Sequence, residues 1–332
     1  MNPTTPVSRR FMLQALAASA GASALPAMAQ GYPNRPITWV VPYAPGAATD
    51  ILTRRLAQDI GTELGQPVVI ENVPGAGTIN AAVQLTRAKA DGYRVMTADS
   101  ATLALNPALM EKLSYDPQAS FSLIGMFARF PLFLVVNRDV PAGNLTELID
   151  FIRSPRGSDL NYGSAGMGSP HHLAMELLQE SIGSKMVHVP YAGAGPALND
   201  LLGGRIGLMF SSLGPIRPHV SSGALRIIAC SGHERFPTLS DVPTLAQSDA
   251  RLKGYEVYAW QGVVAPAGLP EDIHARWSAA LQKVAASDGV KRRFLELGIE
   301  AVATNAKTFE QYAASEAKKW TALVKSRGIK RE

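Results

Sequence analysis

Residues 40–50 read VVPYAPGAATD, an apolar run that ends in a turn of Pro, Gly and Ala and continues as a helical pattern. From residue 52 to residue 64 a leucine or isoleucine recurs every four residues, and Gly65 follows the last of them. This spacing predicts a buried strand, a tight loop and an amphipathic helix that ends at the glycine. Because the loop lacks lysine, GKS/GKT and GxGxxG, it does not have the sequence of a common nucleotide-binding loop.

The rest of the chain repeats this alternation of strand-like and helix-like segments. Further strands are predicted at residues 67–70, 93–98, 160–163, 186–189, 206–210 and 225–229. Strands that alternate with helices of this length are typical of α/β proteins built from parallel βαβ units. The 332 residues are 46% hydrophobic and 18% charged, which is a globular composition, and the length allows two domains of ordinary size.

The first 29 residues have the three parts of an export signal. Residues 9–10 are arginines, an Ala-rich apolar run extends to residue 24, and residues 27–29 form the small-x-small cleavage site AMA. The pair resembles a twin-arginine signal, although Met12 and Gln14 depart from that pattern, so the general secretory route stays open. We expect cleavage near Ala29 and release of the mature protein into the periplasm.

Charge and cysteine content narrow the possible partners. Loss of the two leader arginines lowers the formal net charge from +5 to +3, which indicates neither a nucleic-acid-binding surface nor a polybasic membrane anchor. Cys230 is the only cysteine, so it forms no internal disulfide and offers no lipid attachment near the cleavage site. We expect a soluble monomer that uses no cofactor.

Two successive loops join a strand to a helix through small residues, PGAATD at residues 45–50 and PGAGTIN at residues 74–80. Small residues let the backbone approach a ligand, and the first N–H groups of a helix have no partner within it. Together with the helix dipole these groups form an anion site without a cationic side chain. Each loop alone is also compatible with a simple tight turn, whereas two in succession favour binding.

A third loop, GSAGMGSPHHL at residues 163–173, ends in a helix start with Ser169 as N-cap and Pro170 in the first turn. A hydrolase that uses Ser164 or Ser169 with His171 or His172 is an alternative interpretation. However, a tyrosine replaces the first glycine of G-x-S-x-G. His172 and Glu176 share a helix face, but no HExxH pattern or third ligand predicts a metal site.

The segment VPYA occurs twice, at residues 41–44 and at residues 189–192. Each copy ends a predicted strand and is followed by a Gly/Ala/Pro turn and a helix. Because ligands of open α/β sheets bind beyond the carboxyl ends of the strands, two lobes could place these loops on one shared cleft. A chance match remains the alternative, and Asp200 in the second helix could be solvated, brace its loop or meet a ligand.

The ordered motifs VPYAPGAATD, PGAGTIN, GSAGMGSPHHLA, VPYAGAGPALNDLLGG, DVPTL and WQGVVAPAGLP resemble the Bug-type solute receptors of tripartite tricarboxylate transporters. The resemblance implies a two-lobed periplasmic binding protein, a Venus flytrap of type II-like form, with a mainly parallel, helix-flanked sheet in each lobe. It implies crossings near residues 128–132 and 255–260. Lobe I would then comprise residues 30–129 and 258–332, including the helices after Pro270, and lobe II residues 130–257.

The resemblance also implies a receptor, not an enzyme, that binds a small di- or tricarboxylate or aromatic acid and delivers it to the transporter's membrane components. A ligand sensor for a membrane kinase is the other open alternative. Matching the family's binding loops to this sequence gives, in lobe I, Tyr43, Ala44, Gly46, Ala47, Asp50, Gly75, Ala76, Gly77, Thr78 and Ser100. The lobe II residues are Ser164, Gly168, Ser169, His172, Tyr191, Ala192 and Asp200.

Two residues of these loops depart from the family pattern. Ala47 and Thr78 stand where relatives commonly carry glycine, so we expect their methyl groups to narrow the carboxylate end, or the Thr78 hydroxyl to donate to the ligand. Because the loops lack Lys and Arg, we expect backbone N–H groups, hydroxyls and water to hold the anion. Arg129 is a further candidate contact. Tyr43, Tyr191 and Trp260 either stack on an aromatic ligand or form apolar walls.

Overall fold

The computed structural model describes residues 31–329. The export signal predicted at residues 1–29 lies outside these residues. Within residues 31–329, no helix is both long enough and apolar enough to cross a bilayer.

Strands and helices alternate along the described chain as the hydrophobic pattern predicts. The strands are β1 (Ile37–Val41), β2 (Val68–Asn72), β3 (Arg94–Asp99), β4 (Phe121–Pro131), β5 (Phe133–Asn137), β6 (Asn161–Ser164), β7 (Val187–Pro190), β8 (Leu208–Ser211), β9 (Leu225–Cys230), β10 (Tyr258–Pro266) and β11 (Glu300–Ala301). The α-helices are α1 (Ala48–Leu64), α2 (Ile79–Thr86), α3 (Asn106–Leu109), α4 (Leu145–Arg153), α5 (Pro170–Ile182), α6 (Ala194–Leu202), α7 (Leu213–Ser221), α8 (Leu245–Ser248), α9 (Glu271–Ala285), α10 (Asp288–Glu296) and α11 (Ala306–Arg327).

These strands form two sheets, one in each lobe. The first has six strands in the order β11-β4-β10-β3-β1-β2, and the second has five in the order β7-β6-β8-β5-β9. The chain leaves the first sheet between β4 and β5 and returns to it between β9 and β10. The two-lobed α/β architecture expected from the sequence is therefore confirmed.

Both sheets are mixed, which corrects the expectation that they are mainly parallel. Strand β1 pairs in parallel with β2 and β3, and β6 pairs in parallel with β7 and β8. The long strands β4 and β10 run antiparallel, from the pair Tyr258–Pro131 to the pair Pro266–Phe121. One of them leads out of the first lobe and the other leads back, so they must run side by side in opposite directions.

Helix α1 follows the periodicity that predicted it. Its buried face includes Leu52, Leu56, Ile60 and Leu64. The helix ends at Gly65, whose φ of 76° is left-handed and whose N–H donates to the Gly61 carbonyl. This is the αL termination that a glycine favours. The N-terminus of the helix follows the loop at residues 42–47 directly.

The helices after Pro270 contact the first lobe, and the last of them also contacts the second. In α9, Trp277 packs edge-on against Trp39 of β1. Helix α11 contacts β4 of the first lobe and α5 of the second. Near its end, Arg327 Nε donates to Glu176 of α5 at 2.7 Å. Its C-terminal turn therefore binds the second lobe.

Candidate functional site

A cleft of about 430 Å³ separates the two sheets. Its first-lobe wall comes from the carboxyl ends of β1 and β3, the start of α1 and the first half of β10. Its second-lobe wall comes from the segments that follow β6 and β8. The site thus lies where open α/β sheets bind ligands, beyond the strand ends.

Helix α1 begins at this cleft without a side-chain cap. Ala47 occupies the N-cap position with extended backbone angles and makes no capping hydrogen bond, and Ala48 and Thr49 line the cleft. The first N–H groups of a helix find no carbonyl partner in the preceding turn. The N-terminus of α1 therefore presents donors and the positive end of its dipole toward the cleft.

Asp50 braces the first loop and does not line the cleft. Its buried carboxylate accepts from Gly46 N at 2.9 Å, Asn72 Nδ2 at 2.8 Å and Arg54 Nε at 3.0 Å. Burial acts to raise the pKa of Asp50, but these hydrogen bonds and the Arg54 charge outweigh it and hold the pKa below its usual range. Asn72 also donates to the carbonyl of Tyr43, so one polar cluster sets the shape of the loop.

The second loop has an unusual backbone. Ala76, Gly77 and Thr78 have φ of 47°, 60° and 80°, which is left-handed for two residues that are not glycine. The buried Thr78 hydroxyl lies 2.9 Å from Thr102 Oγ1, and Asn106 Nδ2 donates to the Gly77 carbonyl at 2.8 Å. Of the four residues expected to bind here, only Gly77 lines the cleft, and Thr78 stabilises the turn from behind.

Asp99 and Tyr43 form the polar floor of the cleft. The Tyr43 hydroxyl donates to Asp99, and the other carboxylate oxygen accepts from Thr102 N at 2.9 Å and Thr102 Oγ1 at 3.0 Å. Burial raises the pKa of Asp99, although these hydrogen bonds partly oppose it, and burial together with the Asp99 charge raises the pKa of Tyr43. Asp99 was not among the predicted binding residues. Its position directly after the strand predicted at residues 93–98 is the sequence feature that could have identified it.

A stack of aromatic rings stabilises the second-lobe loop at residues 163–173 on the side away from the cleft. The ring centroids of His172 and His188 lie 4.1 Å apart, and Tyr162 stacks on His188 at 4.8 Å. His172 Nδ1 accepts from Gly168 N at 3.1 Å, and Ser164 Oγ lies 2.7 Å from His188 Nε2. These contacts place His172 and Ser164 behind the loop, while Gly168 and Ser169 line the cleft.

The arrangement of serines and histidines does not support the hydrolase interpretation. Ser164 is fully buried and is not part of the cleft wall. Ser169 lines the cleft, but its Oγ caps α5 by accepting from His172 N at 3.3 Å. Within residues 31–329, no group of three or more His, Cys, Asp and Glu side chains is arranged to hold a metal ion.

The second VPYA segment lies away from the cleft. The Tyr191 hydroxyl donates to Asp200 at 2.8 Å, and Asp200 pairs with Arg205 at 2.6 Å. Hydrogen bonds from Tyr191 and Arg205 lower the pKa of Asp200. Neither Tyr191, Ala192 nor Asp200 lines the cavity, because β7 is the edge strand of its sheet whereas β1 is an interior strand.

Five of the residues predicted from the sequence therefore meet in the cleft wall: Tyr43, Gly77, Ser100, Gly168 and Ser169. The other twelve support the loops or lie elsewhere: Ala44, Gly46, Ala47, Asp50, Gly75, Ala76, Thr78, Ser164, His172, Tyr191, Ala192 and Asp200. The cleft wall also contains Trp260, which the sequence indicated as a stacking or wall residue. The wall residues that were not predicted as binding residues are Ala48, Thr49, Asp99, Ala101, Leu105, Asn106, Phe130, Leu132, Ala165, Met167, Pro170, His171, Ser212, Ala259 and Gln261. None of the described residues that line it is Lys or Arg.

Arg129 is engaged elsewhere. Its Nε donates to Glu300 at 2.5 Å, and its guanidinium lies 4.5 Å from the centre of the Tyr258 ring. It does not contribute to the cleft wall. Trp260 does line the cleft, and Phe309 and Tyr312 of α11 pack edge-on against its ring.

Comparison with known proteins identifies the family. Residues 52–329 match the sequence model described as the tripartite tricarboxylate transporter family receptor. The chain belongs to this receptor family. BugT of Bordetella pertussis is 32% identical over 317 residues, which cover 94% of this chain and 95% of BugT. Among the solved structures that resemble this chain, BugD is a periplasmic binding protein and another, from Polaromonas, is a TctC solute binding protein.

Two solved structures resemble the receptor over nearly its whole length. Rpa4515 of R. palustris, solved with adipate, has a TM-score of 0.78 at 31% identity and covers 90% of this chain and 99% of its own. MatC from Rhodopseudomonas palustris, solved with bound malate, has a TM-score of 0.74 at 31% identity and covers 88% of this chain and 100% of its own. The fold of the receptor is thus that of periplasmic binding proteins.

Proposed function

We propose that this receptor binds a small carboxylate in the interlobe cleft and delivers it to the membrane components of a tripartite tricarboxylate transporter. The observation that carries the proposal is the uncapped start of α1 on the cleft wall, where Ala48 and Thr49 lie. Unpaired N–H groups and the positive end of the helix dipole favour an anion. With no Lys or Arg in the described lining, backbone and hydroxyl groups would hold the carboxylate.

The helix starts at the cleft differ in capping. Ser212 precedes α7 at the cleft and makes no capping hydrogen bond, whereas Ser169 caps α5. Away from the cleft, α4, α10 and α11 are capped by side chains, and α6 and α9 are not, so a missing cap does not by itself mark the site. The start of α1 is distinguished by its position in the cleft wall, with Tyr43, Gly77 and Ser100 around it.

The size of the cleft and the known relatives agree with this ligand class. A volume of about 430 Å³ lies at the small end of the roughly 300–1,000 Å³ range of ligand pockets, and the two relatives above were solved with adipate and malate. We propose lobes of residues 30–129 plus 258–332 and of residues 130–257, which close around the ligand by a hinge motion. The mature protein would act as a periplasmic monomer.

The test is calorimetric titration of mature protein, residues 30–332, that has been unfolded and refolded to remove co-purified ligand. The panel contains aliphatic dicarboxylates, tricarboxylates and aromatic acids, with the corresponding amides as uncharged controls. We expect at least one acid to bind and to raise the free energy of unfolding by about 2.7 kcal/mol at one hundred times its Kd. Absence of binding by every acid would contradict the proposal.

A pair of matched variants tests the position of the carboxylate. Ala48→Asp places a negative charge at the first residue of α1 in the cleft, so we expect it to abolish binding by repulsion. Ala306→Asp makes the same change at the first residue of α11, away from the cleft, and should bind as the wild type does. Equal affinity in both variants would show that the carboxylate does not sit at α1.

A further inference from the structure

Gln261 is one of two cleft residues, with His171, that have a buried side-chain atom without a hydrogen-bond partner among the described residues. It lies on β10, is 6% exposed and lines the cleft. Its Nε2 donates to Thr49 Oγ1 at 2.5 Å, whereas its Oε1 is buried without a partner. A buried acceptor that lost its water on folding and gained no donor is unfavourable, and such atoms are uncommon in native proteins.

Asp99 stands next to Gln261 on the same wall. The two residues are direct partners in the antiparallel pairing of β10 with β3, so their side chains project from the same face of the sheet. Two of the donors here are directed at wall groups, because the Tyr43 hydroxyl donates to Asp99 and one N–H of the Gln261 amide goes to Thr49. This part of the wall therefore presents acceptors and one carboxylate.

The opposite wall contains a second incomplete group. His171 also lines the cleft, and its Nδ1 is buried without a hydrogen-bond partner. Burial lowers the pKa of His171 to about 4, so its ring is neutral at neutral pH and supplies no charge to balance Asp99. The neutral ring carries one N–H, on Nδ1 in one tautomer and on Nε2 in the other, so the opposite wall supplies no positive charge to balance a second carboxylate.

From these contacts we propose that Gln261, with Asp99 beside it, determines specificity by selecting carboxylates that carry a hydrogen-bond donor, a hydroxyl or an ammonium group. This inference rests on the carboxylate-receptor function proposed above. A carboxylate group accepts but does not donate, so an unsubstituted diacid leaves Gln261 Oε1 unpaired and adds repulsion from Asp99. A hydroxyl or ammonium substituent supplies the missing donor, and an ammonium group also offsets the Asp99 charge.

The test compares acids that share one carbon skeleton. Succinate, malate and aspartate form the four-carbon set, and glutarate, 2-hydroxyglutarate and glutamate form the five-carbon set. In calorimetric titrations of refolded protein at pH 7.5 we expect the substituted acid to bind at least about tenfold more tightly than the unsubstituted one in the set that fits. Within each set, the affinity of the hydroxy acid compared with that of the amino acid shows whether a hydroxyl or an ammonium group is the preferred donor.

Variants assign this difference to the amide. Gln261→Met keeps the length of the side chain and removes its polar atoms, so the tenfold preference should disappear. Gln261→Glu retains an acceptor and should retain the preference, with a shift toward the amino acid. Gln311→Met, on the exposed side of α11, is the control and should behave as the wild type does. If Gln261→Met does not fold, the inference is tested by the ratio of the affinities for substituted and unsubstituted acids in the wild type and in Gln261→Glu.

Three results would overturn the inference. Equal affinity for substituted and unsubstituted acids in the wild type refutes donor selection but leaves the carboxylate receptor intact. Tighter binding of the unsubstituted acid shows that the amide presents its NH2 group to the ligand. A preference that survives Gln261→Met assigns selection to another residue. If no acid of either set or of the wider panel binds, both the inference and the proposed function are wrong.

Discussion

Ala47 influences the site because its side chain cannot accept the hydrogen bond that normally caps a helix. It occupies the N-cap of α1 with suitable backbone angles but without a side-chain acceptor, at a position where Ser, Thr, Asp and Asn are preferred. The sequence suggested that its methyl group narrows the carboxylate end. The structure places Ala47 outside the cleft lining, so we expect its effect to come from the amides that it leaves unpaired.

Ala47→Ser should therefore increase stability and weaken binding. A serine cap on α1 is expected to raise the free energy of unfolding of ligand-free protein by about 1 kcal/mol. The same hydroxyl occupies an amide that the ligand would use, so the Kd of the bound acid should rise about tenfold. Urea unfolding and calorimetry measure the two effects. Ala47→Gly, which adds no acceptor, should keep the wild-type ligand preference; a serine variant with unchanged Kd would contradict the mechanism.

His172 makes stability depend on pH. Burial, with a smaller contribution from the neighbouring His188, lowers the pKa of His172 to about 4 despite the opposing Glu176 charge, whereas an unfolded histidine titrates near 6.5. Between these values the unfolded chain binds more protons than the folded one. The contribution of the neutral ring is thus complete above about pH 6.5 and is lost as the pH falls toward 4.

We expect urea unfolding measured from pH 7.5 to pH 4.5 to show stability falling with pH, with up to about 1.4 kcal/mol per pH unit from His172. His172→Asn retains an acceptor for Gly168 N and should flatten the profile by that amount. Gln311→Asn changes an exposed side chain that does not titrate and should leave the profile unchanged. An identical slope in wild type and His172→Asn would show that the buried ring is protonated in the folded state.

At the scale of elements, α11 connects the cleft to the outside of the molecule. Glu316, 5% exposed, accepts from Trp320 Nε1 at 3.0 Å and from Trp260 Nε1 at 3.4 Å, and it pairs with Lys319. Trp260 in turn forms part of the cleft wall. One carboxylate therefore positions a cleft indole from a helix that also contacts the second lobe.

Glu316→Ala should destabilise the protein by about 2 to 4 kcal/mol, because two buried indole N–H groups lose their acceptor. Glu310→Ala, on the exposed side of the same helix, should change the free energy of unfolding by less than about 0.5 kcal/mol. Chemical denaturation followed by circular dichroism measures both. A Glu316→Ala variant as stable as Glu310→Ala would show that water replaces the carboxylate at no cost.

For the whole molecule, the two chain crossings beside the cleft make closure the expected response to ligand. The second lobe is connected through the β4–β5 and β9–β10 passages, and a ligand that bridges both walls gains contacts only in the closed state. The ion pair between Arg327 and Glu176 links the last helix to the second lobe. If the second lobe moves on closure, we expect the end of this helix to move with it.

Small-angle X-ray scattering should record this closure. With saturating ligand we expect the radius of gyration to approach the value of about 19 Å for a compact chain of roughly 300 residues, and to be larger without ligand. Ala48→Asp, which should not bind, serves as the control and should show no change on adding the acid. An unchanged radius in the wild type, with binding confirmed by calorimetry, would contradict a closing motion.

The sequence by itself determined the α/β class, the strand–loop–helix unit at residues 40–65 and the family. The class and this unit follow from local spacing and turn residues, which act over a few positions of the chain, whereas the family follows from the resemblance of the ordered motifs. It also indicated the loops that reach the cleft, because strand ends of parallel units meet at one edge. Within those loops the sequence could not distinguish cleft-lining residues such as Gly77 from supporting residues such as Thr78, because the two are adjacent in one loop and only the backbone conformation decides which of them faces the cleft.

Tertiary structure decided the rest. The pairing of β10 with β3 and β4 placed Gln261 opposite Asp99, although 162 positions along the chain separate them. Sheet order put β1 in the interior and β7 at an edge, so identical VPYA segments have different surroundings. Partners so distant in sequence leave no periodic pattern, because only the pairing of strands within the folded sheet brings them into contact.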